Sequence, residues 1–239
     1  MTLRAARLEV VIPCILIVAC GGNPSAPTQS TGGANSGSSG GACRRFPATA
    51  TITVQSAAAG TRTSPATCAW DSGLHQLKCT ISVTSGGPLC TTTVTTYNST
   101  ADFVDEIQVI PPRLLRTSEI ETASGAAACG AGAIQNITYV YDTQRRVTEV
   151  LNGSVSTLYS AWDSAGRPTQ GTVSSGAPVT IVYDSSGRTQ TQTVGTGAAA
   201  VVTATTFDTT GTPIKIVTQD AGVSTTTTTQ VNSTTQVCK

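Results

Sequence analysis

Four times in the C-terminal half of the chain an aromatic residue is followed at once by aspartate and then by a short turn. The four sites are Tyr141-Asp142, Trp162-Asp163, Tyr183-Asp184 and Phe207-Asp208, with aspartates 21, 21 and 24 positions apart. A period of that length marks one supersecondary unit used repeatedly, each copy burying its apolar face against the next. In the third copy Val179, Ile181 and Tyr183 alternate on one face of a strand. Asp184 then opens a turn by accepting backbone N–H groups, Gly187 closes it in the left-handed conformation, and residues 189–194 run back. Between units the connection is short and glycine-rich: Asn152-Gly153, Ser174-Ser175-Gly176, Gly195-Thr196-Gly197. The expectation is an all-β protein, an antiparallel meander of hairpins forming a curved sheet or a small open barrel-like wrap.

Composition supports strands and narrows the partners. Threonine and valine, stiff at χ1 and suited to a pleated surface, are abundant, while charged residues make up only 11% of the 239 residues with a net charge of +1. No basic cluster is present, so a nucleic-acid partner is not expected.

The repeats resemble the YD repeats of the RHS family, the bacterial RHS shells and their teneurin relatives, whose pattern centres on Tyr-Asp-x-x-Gly-Arg. Tyr183, Asp184, Gly187 and Arg188 match it closely. Trp162, Asp163, Gly166 and Arg167 match with tryptophan in the tyrosine position. Tyr141 and Asp142 carry Arg145 where glycine is expected, and Phe207, Asp208 and Gly211 are followed by Thr212 in the place of arginine. Degenerate copies lie at Trp70-Asp71-Ser72-Gly73 and Tyr97-Asn98. The resemblance implies hairpins that coil into a β-sheet spiral, which in that family encloses a cargo, although a handful of hairpins is too few for a large shell. The repeat residues are expected to be structural. The rings should stack on one another in a ladder, each aspartate should cap its turn, and Arg167 or Arg188 should pair with an adjacent aspartate.

The N-terminus carries Arg4 and Arg7 before an apolar run from Leu8 to Ala19. That run is too short for a membrane-spanning helix and has the dimensions of a secretory leader. It ends in Ile17-Val18-Ala19-Cys20-Gly21, which resembles a bacterial lipobox. The resemblance implies a leader spanning 1–19, cleavage before Cys20, acylation of that cysteine, and tethering to the outer membrane with the protein facing the periplasm or the surface. Residues 20–42 then read as anchor and flexible Gly/Ser/Pro linker, and 43–239 as the folded domain.

Six further cysteines, Cys43, Cys68, Cys79, Cys90, Cys129 and Cys238, suggest a disulfide framework in an exported chain. Cys68 and Cys79 sit symmetrically about Gly73-Leu74 and would face each other across a hairpin. Cys129 with Cys238, and Cys43 with Cys90, complete the expected set. No C-x2-C spacing occurs and His75 is the single histidine, so neither metal nor other cofactor is expected. Asp105, Glu106, Glu119 and Glu121 could supply a carboxylate pair, but nothing in their spacing demands catalysis. Pro111-Pro112 breaks any helix through that stretch, leaving room for one helical turn at 117–122. The functional expectation is a lipid-anchored, non-catalytic binding or structural module of the envelope whose partner is a glycan or an envelope protein. The alternatives are a carbohydrate-binding protein or weak glycosidase, and a remnant of an RHS-type toxin system.

Overall fold

Short β-rich stretches joined by tight turns pair with their sequence neighbours, and here that rule runs through all the strands of the described residues. The computed structural model describes residues 42–57, 60–82, 91–107, 111–112, 114–123, 133–185, 188–208 and 213–239. Residues 1–41, which hold the expected leader, Cys20 and the expected linker, and Cys90, Cys129, Gly187 and Gly211 lie outside the described residues.

The strands are β1 (Cys43–Ser56), β2 (Gly60–Asp71), β3 (Gln76–Ile81), β4 (Thr91–Tyr97), β5 (Arg116–Ala123), β6 (Ala133–Tyr141) and β7 (Val147–Asn152). They continue as β8 (Val155–Trp162), β9 (Pro168–Val173), β10 (Pro178–Tyr183), β11 (Thr189–Val194), β12 (Val201–Phe207), β13 (Pro213–Asp220) and β14 (Val223–Cys238). One helix, α1 (Thr100–Asp105), lies between β4 and β5. Every strand pairs antiparallel with its predecessor and successor, and β1 pairs with β14, so the expected meander is present and goes further: it closes into a barrel.

Closure is made by the longest ladder, from Cys43 opposite Cys238 to Ser56 opposite Thr225. A disulfide joins Cys43 to Cys238 at its end. Residues 225–229, readable from sequence as an edge strand or frayed tail, instead lie in the first half of the closing strand, paired with β1 on one side and β13 on the other. The expected partners of both cysteines are corrected: neither Cys129 with Cys238 nor Cys43 with Cys90 is formed. The reason is register, since only the seam brings the two ends of the domain together. Cys68 and Cys79 do stand opposite each other across β2–β3, as expected, but the structure does not join them by a disulfide. Residues 117–122 are strand β5 and not a helical turn, because pairing with β4 and β6 claims their backbone groups.

Strict up-and-down order sorts the turns. The chain enters at Cys43 on one rim, so every second connection returns to it. That rim carries both ends of the domain, the Asp71 turn, the segment from 98 to 115 and all four aspartate turns of the repeats. The other rim carries Gly153, Gly176, Gly195 and Gly222.

Side chains alternate inward and outward along each strand. In β6, Gln135, Ile137 and Tyr139 are buried while Asn136, Thr138 and Val140 are exposed. Outward positions are dominated by threonine, with Lys78 and Lys215 among them. The chain's ten aromatic residues are all buried or half-buried.

Candidate functional site

The 98–115 segment folds back into the rim that holds the chain ends. Ser99 caps α1, its hydroxyl accepting from the Asp102 N–H at 3.1 Å. Phe103 and Val104 are completely buried among Phe46, Leu77, Cys79 and Tyr97. Trp70 stacks on Phe103 with ring centres 4.1 Å apart, and the Arg44 guanidinium lies 4.2 Å from the centre of the same ring. α1 is thus a plug whose apolar residues Phe103 and Val104 fill this end of the barrel.

One turn further along, Glu106 fixes the plug electrostatically. Its Oε2 accepts from Arg44 Nη1 at 3.0 Å and from the Tyr97 hydroxyl at 2.8 Å. Its Oε1 accepts from Arg116 Nε at 2.9 Å and pairs with Arg116 Nη2 at 2.9 Å. Arg116 Nη1 reaches on to Glu119 at 2.8 Å. Burial alone would raise the Glu106 carboxyl, but the Arg116 and Arg44 guanidinium groups outweigh it and hold the group below its ordinary range. Glu119 goes the other way: burial raises it, and Arg116 offsets that only in part. Burial, helped by the Glu106 carboxylate, likewise pushes the Tyr97 hydroxyl up. The remaining candidate carboxylates are dispersed. Asp105 pairs with Lys239 at the surface, and Glu121 is buried on β5. His75 sits in the β2–β3 turn with a φ of 52°.

Above the plug lies a cavity of about 150 Å³. Inward residues of nearly every strand from β3 to β13 line it. Tyr139, Val150, Val155 and Tyr159 form one stretch of wall, and Ile181, Tyr183, Gln190, Gln192 and Phe207 another. Arg44, Glu106 and Arg116 form its floor.

Of the repeat residues, Tyr183 and Phe207 reach the cavity wall, and the others frame it. In the first two units the turns are superimposable in their bonding. Asp142 Oδ1 accepts from the Gln144 and Arg146 N–H groups, each at 2.9 Å, and Asp163 Oδ1 accepts from those of Ala165 and Arg167 at 3.0 and 2.9 Å. The other carboxylate oxygen binds the Nε of the arginine in its own unit, at 2.7 Å in both cases. These backbone bonds, ahead of the arginine charge, hold the Asp142 carboxyl below its usual range. The expected stacking of ring on ring is met between Trp70 and Tyr97 of the degenerate copies, whose ring centres lie 5.9 Å apart edge to face, but is corrected for the later units. Each arginine instead covers the aromatic of the next unit, Arg146 over Trp162 at 4.4 Å and Arg167 over Tyr183 at 4.0 Å. The polar tip of that ring donates to a carbonyl of the unit before it, Trp162 Nε1 to Val147 O and Tyr183 Oη to Pro168 O, both at 2.9 Å. Between these units the guanidinium takes the place that a neighbouring ring would occupy.

Departures from the pattern are accounted for locally. Arg145, in the glycine place, adopts a φ of 60° where Gly166 has 79°, and its guanidinium pairs with Asp102 on α1. The third turn is wider: Asp184 N donates to Thr189 O, one residue later than in the other units, and Arg188 is exposed. Arg188 thus does not join the ladder. Phe207 closes the row, buried against the cavity.

Sequence reasoning noted Glu106 and Glu119 only as scattered carboxylates and missed Arg44 and Arg116. A signal existed for Arg44, which stands two residues from Phe46, so period-2 reading places it inside; for Arg116 none did, because the same count leads to the exposed Ile120 and a register shift lies beside it. No family model matches the chain, and no curated protein matches it. Among the described residues no cluster of three His, Cys, Asp or Glu is placed to hold a metal ion.

Proposed function

We propose that the chain is a lipid-anchored, non-catalytic binding module of the bacterial envelope, built from YD-type repeats, whose ligand sits inside the barrel. The observation that carries this reading is the inward concentration of aromatic residues around a cavity with a closed floor. A barrel that spans a membrane does the reverse, presenting an apolar band and aromatic girdles to lipid. Here the exposed positions mix threonine, glutamine and lysine with apolar residues such as Ile120, Val140, Leu158 and Val182, and no aromatic residue is exposed among them, which suits a body held at a membrane by acyl chains and not inserted in it.

A non-catalytic role is supported by the state of the carboxylates. Glu106 has each oxygen engaged by at least two donors, and Glu119 lies behind Arg116, outside the cavity lining. The glycan alternative loses its first-choice platforms, since Trp70 is packed on Phe103 and Trp162 lies under Arg146. Labelling cells with a radioactive fatty acid tests the anchor: the wild-type chain takes up label and Cys20→Ala does not. An unlabelled wild-type chain would remove the anchor from this reading.

A further inference from the structure

The cavity's lining constrains what it can hold. A space of about 150 Å³ accommodates one six-membered ring with small substituents. Its charged groups are already matched, because Arg44 and Arg116 share Glu106 and Arg116 also holds Glu119. A ligand carrying a charge would have to leave water without gaining a counter-ion. Aliphatic side chains, Ile137, Val150, Val155 and Ile181 among them, take up much of the wall. They would leave hydroxyls around the whole edge of a sugar without partners.

Polar groups are nonetheless present. The hydroxyls of Tyr139 and Tyr159 and the amides of Gln190 and Gln192 line the cavity and make no hydrogen bond to other described residues. Each can both donate and accept. Burial pushes the Tyr159 hydroxyl up to about 12, so it stays protonated and able to donate across the physiological range. Gly171 stands opposite Tyr159 across β8–β9, where an added Cβ would come within 3.0 Å of the Tyr159 ring and 2.5 Å of Leu158 O. A strand-centre glycine at that point lets the ring lie back against the sheet and leaves the space before it clear.

Resting on the lumen reading above, we infer that the barrel binds an uncharged aromatic or heteroaromatic ring bearing hydroxyl or amide groups, a ligand of the phenol class. Aliphatic and tyrosyl walls sandwich the ring, while the glutamines and the two free-standing tyrosine hydroxyls receive its polar edge.

The test uses the full chain in detergent with three single-ring probes, phenol, benzoate and methyl glucoside, followed by titration calorimetry and saturation-transfer NMR. Phenol binds saturably, and the two variants Ile181→Phe, which fills the cavity, and Gln192→Leu, which removes a polar partner, each weaken it at least about tenfold. Their unfolding midpoints are measured alongside, and binding is compared only at temperatures where both are folded. If benzoate or the glucoside binds instead and Ile181→Phe abolishes it, the phenol class is overturned while the lumen remains the site. If no probe binds, or Ile181→Phe leaves phenol binding intact, the ligand class and the lumen reading both fall.

Discussion

Glu106 and Glu119 are buried in the same network, joined through one arginine, yet their native states pull in opposite directions. Glu106 is depressed, so its contribution to stability is complete above its unfolded value near 4.5 and is lost as pH falls through its lower native value. Glu119 is raised, so its contribution is complete below about 4.5 and is lost as pH rises through its higher native value. Two substitutions separate them. Glu106→Gln removes the carboxylate that Arg44 and Arg116 share and is expected to cost about 3–5 kcal/mol by urea unfolding at neutral pH. Glu119→Gln removes a group that burial already disfavours as an anion, and should leave neutral-pH stability equal or slightly higher, with a flatter profile above about pH 4.5. Equal losses in the two variants would contradict the assignment. A surface residue offers a simpler case. Ala221 holds a φ of 46° beside Gly222 in the two-residue β13–β14 turn, a geometry that favours asparagine over alanine. Ala221→Asn should stabilise by about 0.5–1 kcal/mol, read as a raised unfolding midpoint.

Between elements, the coupling device is the Asp–Arg–aromatic relay that links one hairpin to the next. Tyr183 contributes a ring face to Arg167 and a hydroxyl to Pro168 O. Tyr183→Phe keeps the face and loses the bond, for an expected cost of about 0.5–1.5 kcal/mol. Arg167→Ala loses the stack as well as the pair with Asp163. A double-mutant cycle on Arg167 and Tyr183 should return a coupling of at least about 0.5 kcal/mol, and simple additivity would mean the relay carries no energy between units. The hairpins were legible in advance because alternation and turn chemistry are local: Asp163, Gly166 and Asn152-Gly153 each specify their geometry within a few residues. The relay was not legible, because a sequence period states that units recur without stating the gap between them. The plug was likewise hidden, since α1 is six residues long and is held by Phe103 and Glu106, whose partners Phe46 and Arg44 come from the first strand, far away in sequence. Pro111-Pro112 correctly signalled an irregular crossing but not that it turns inward.

At the scale of the molecule, closure depends on a seam that joins the first strand to the last. Wrong expectations for Cys43 and Cys238 arose because pairing by sequence proximity cannot anticipate a sheet that meets itself. The disulfide closes a loop of sequence separation 195, and a cross-link over so long a stretch acts mainly on the unfolded chain. Cys238→Ser is expected to lower stability by about 2–5 kcal/mol while leaving the strand content by circular dichroism unchanged at room temperature. A circular dichroism spectrum dominated by helix or coil, in wild type or variant, would contradict the barrel itself. The seam has a geometric corollary. Since Cys43 and Cys238 face each other, the polypeptide arrives and departs at one pole, beside the corked end. A leash attached at either terminus would therefore moor the molecule by the same pole, the one opposite the glycine bends.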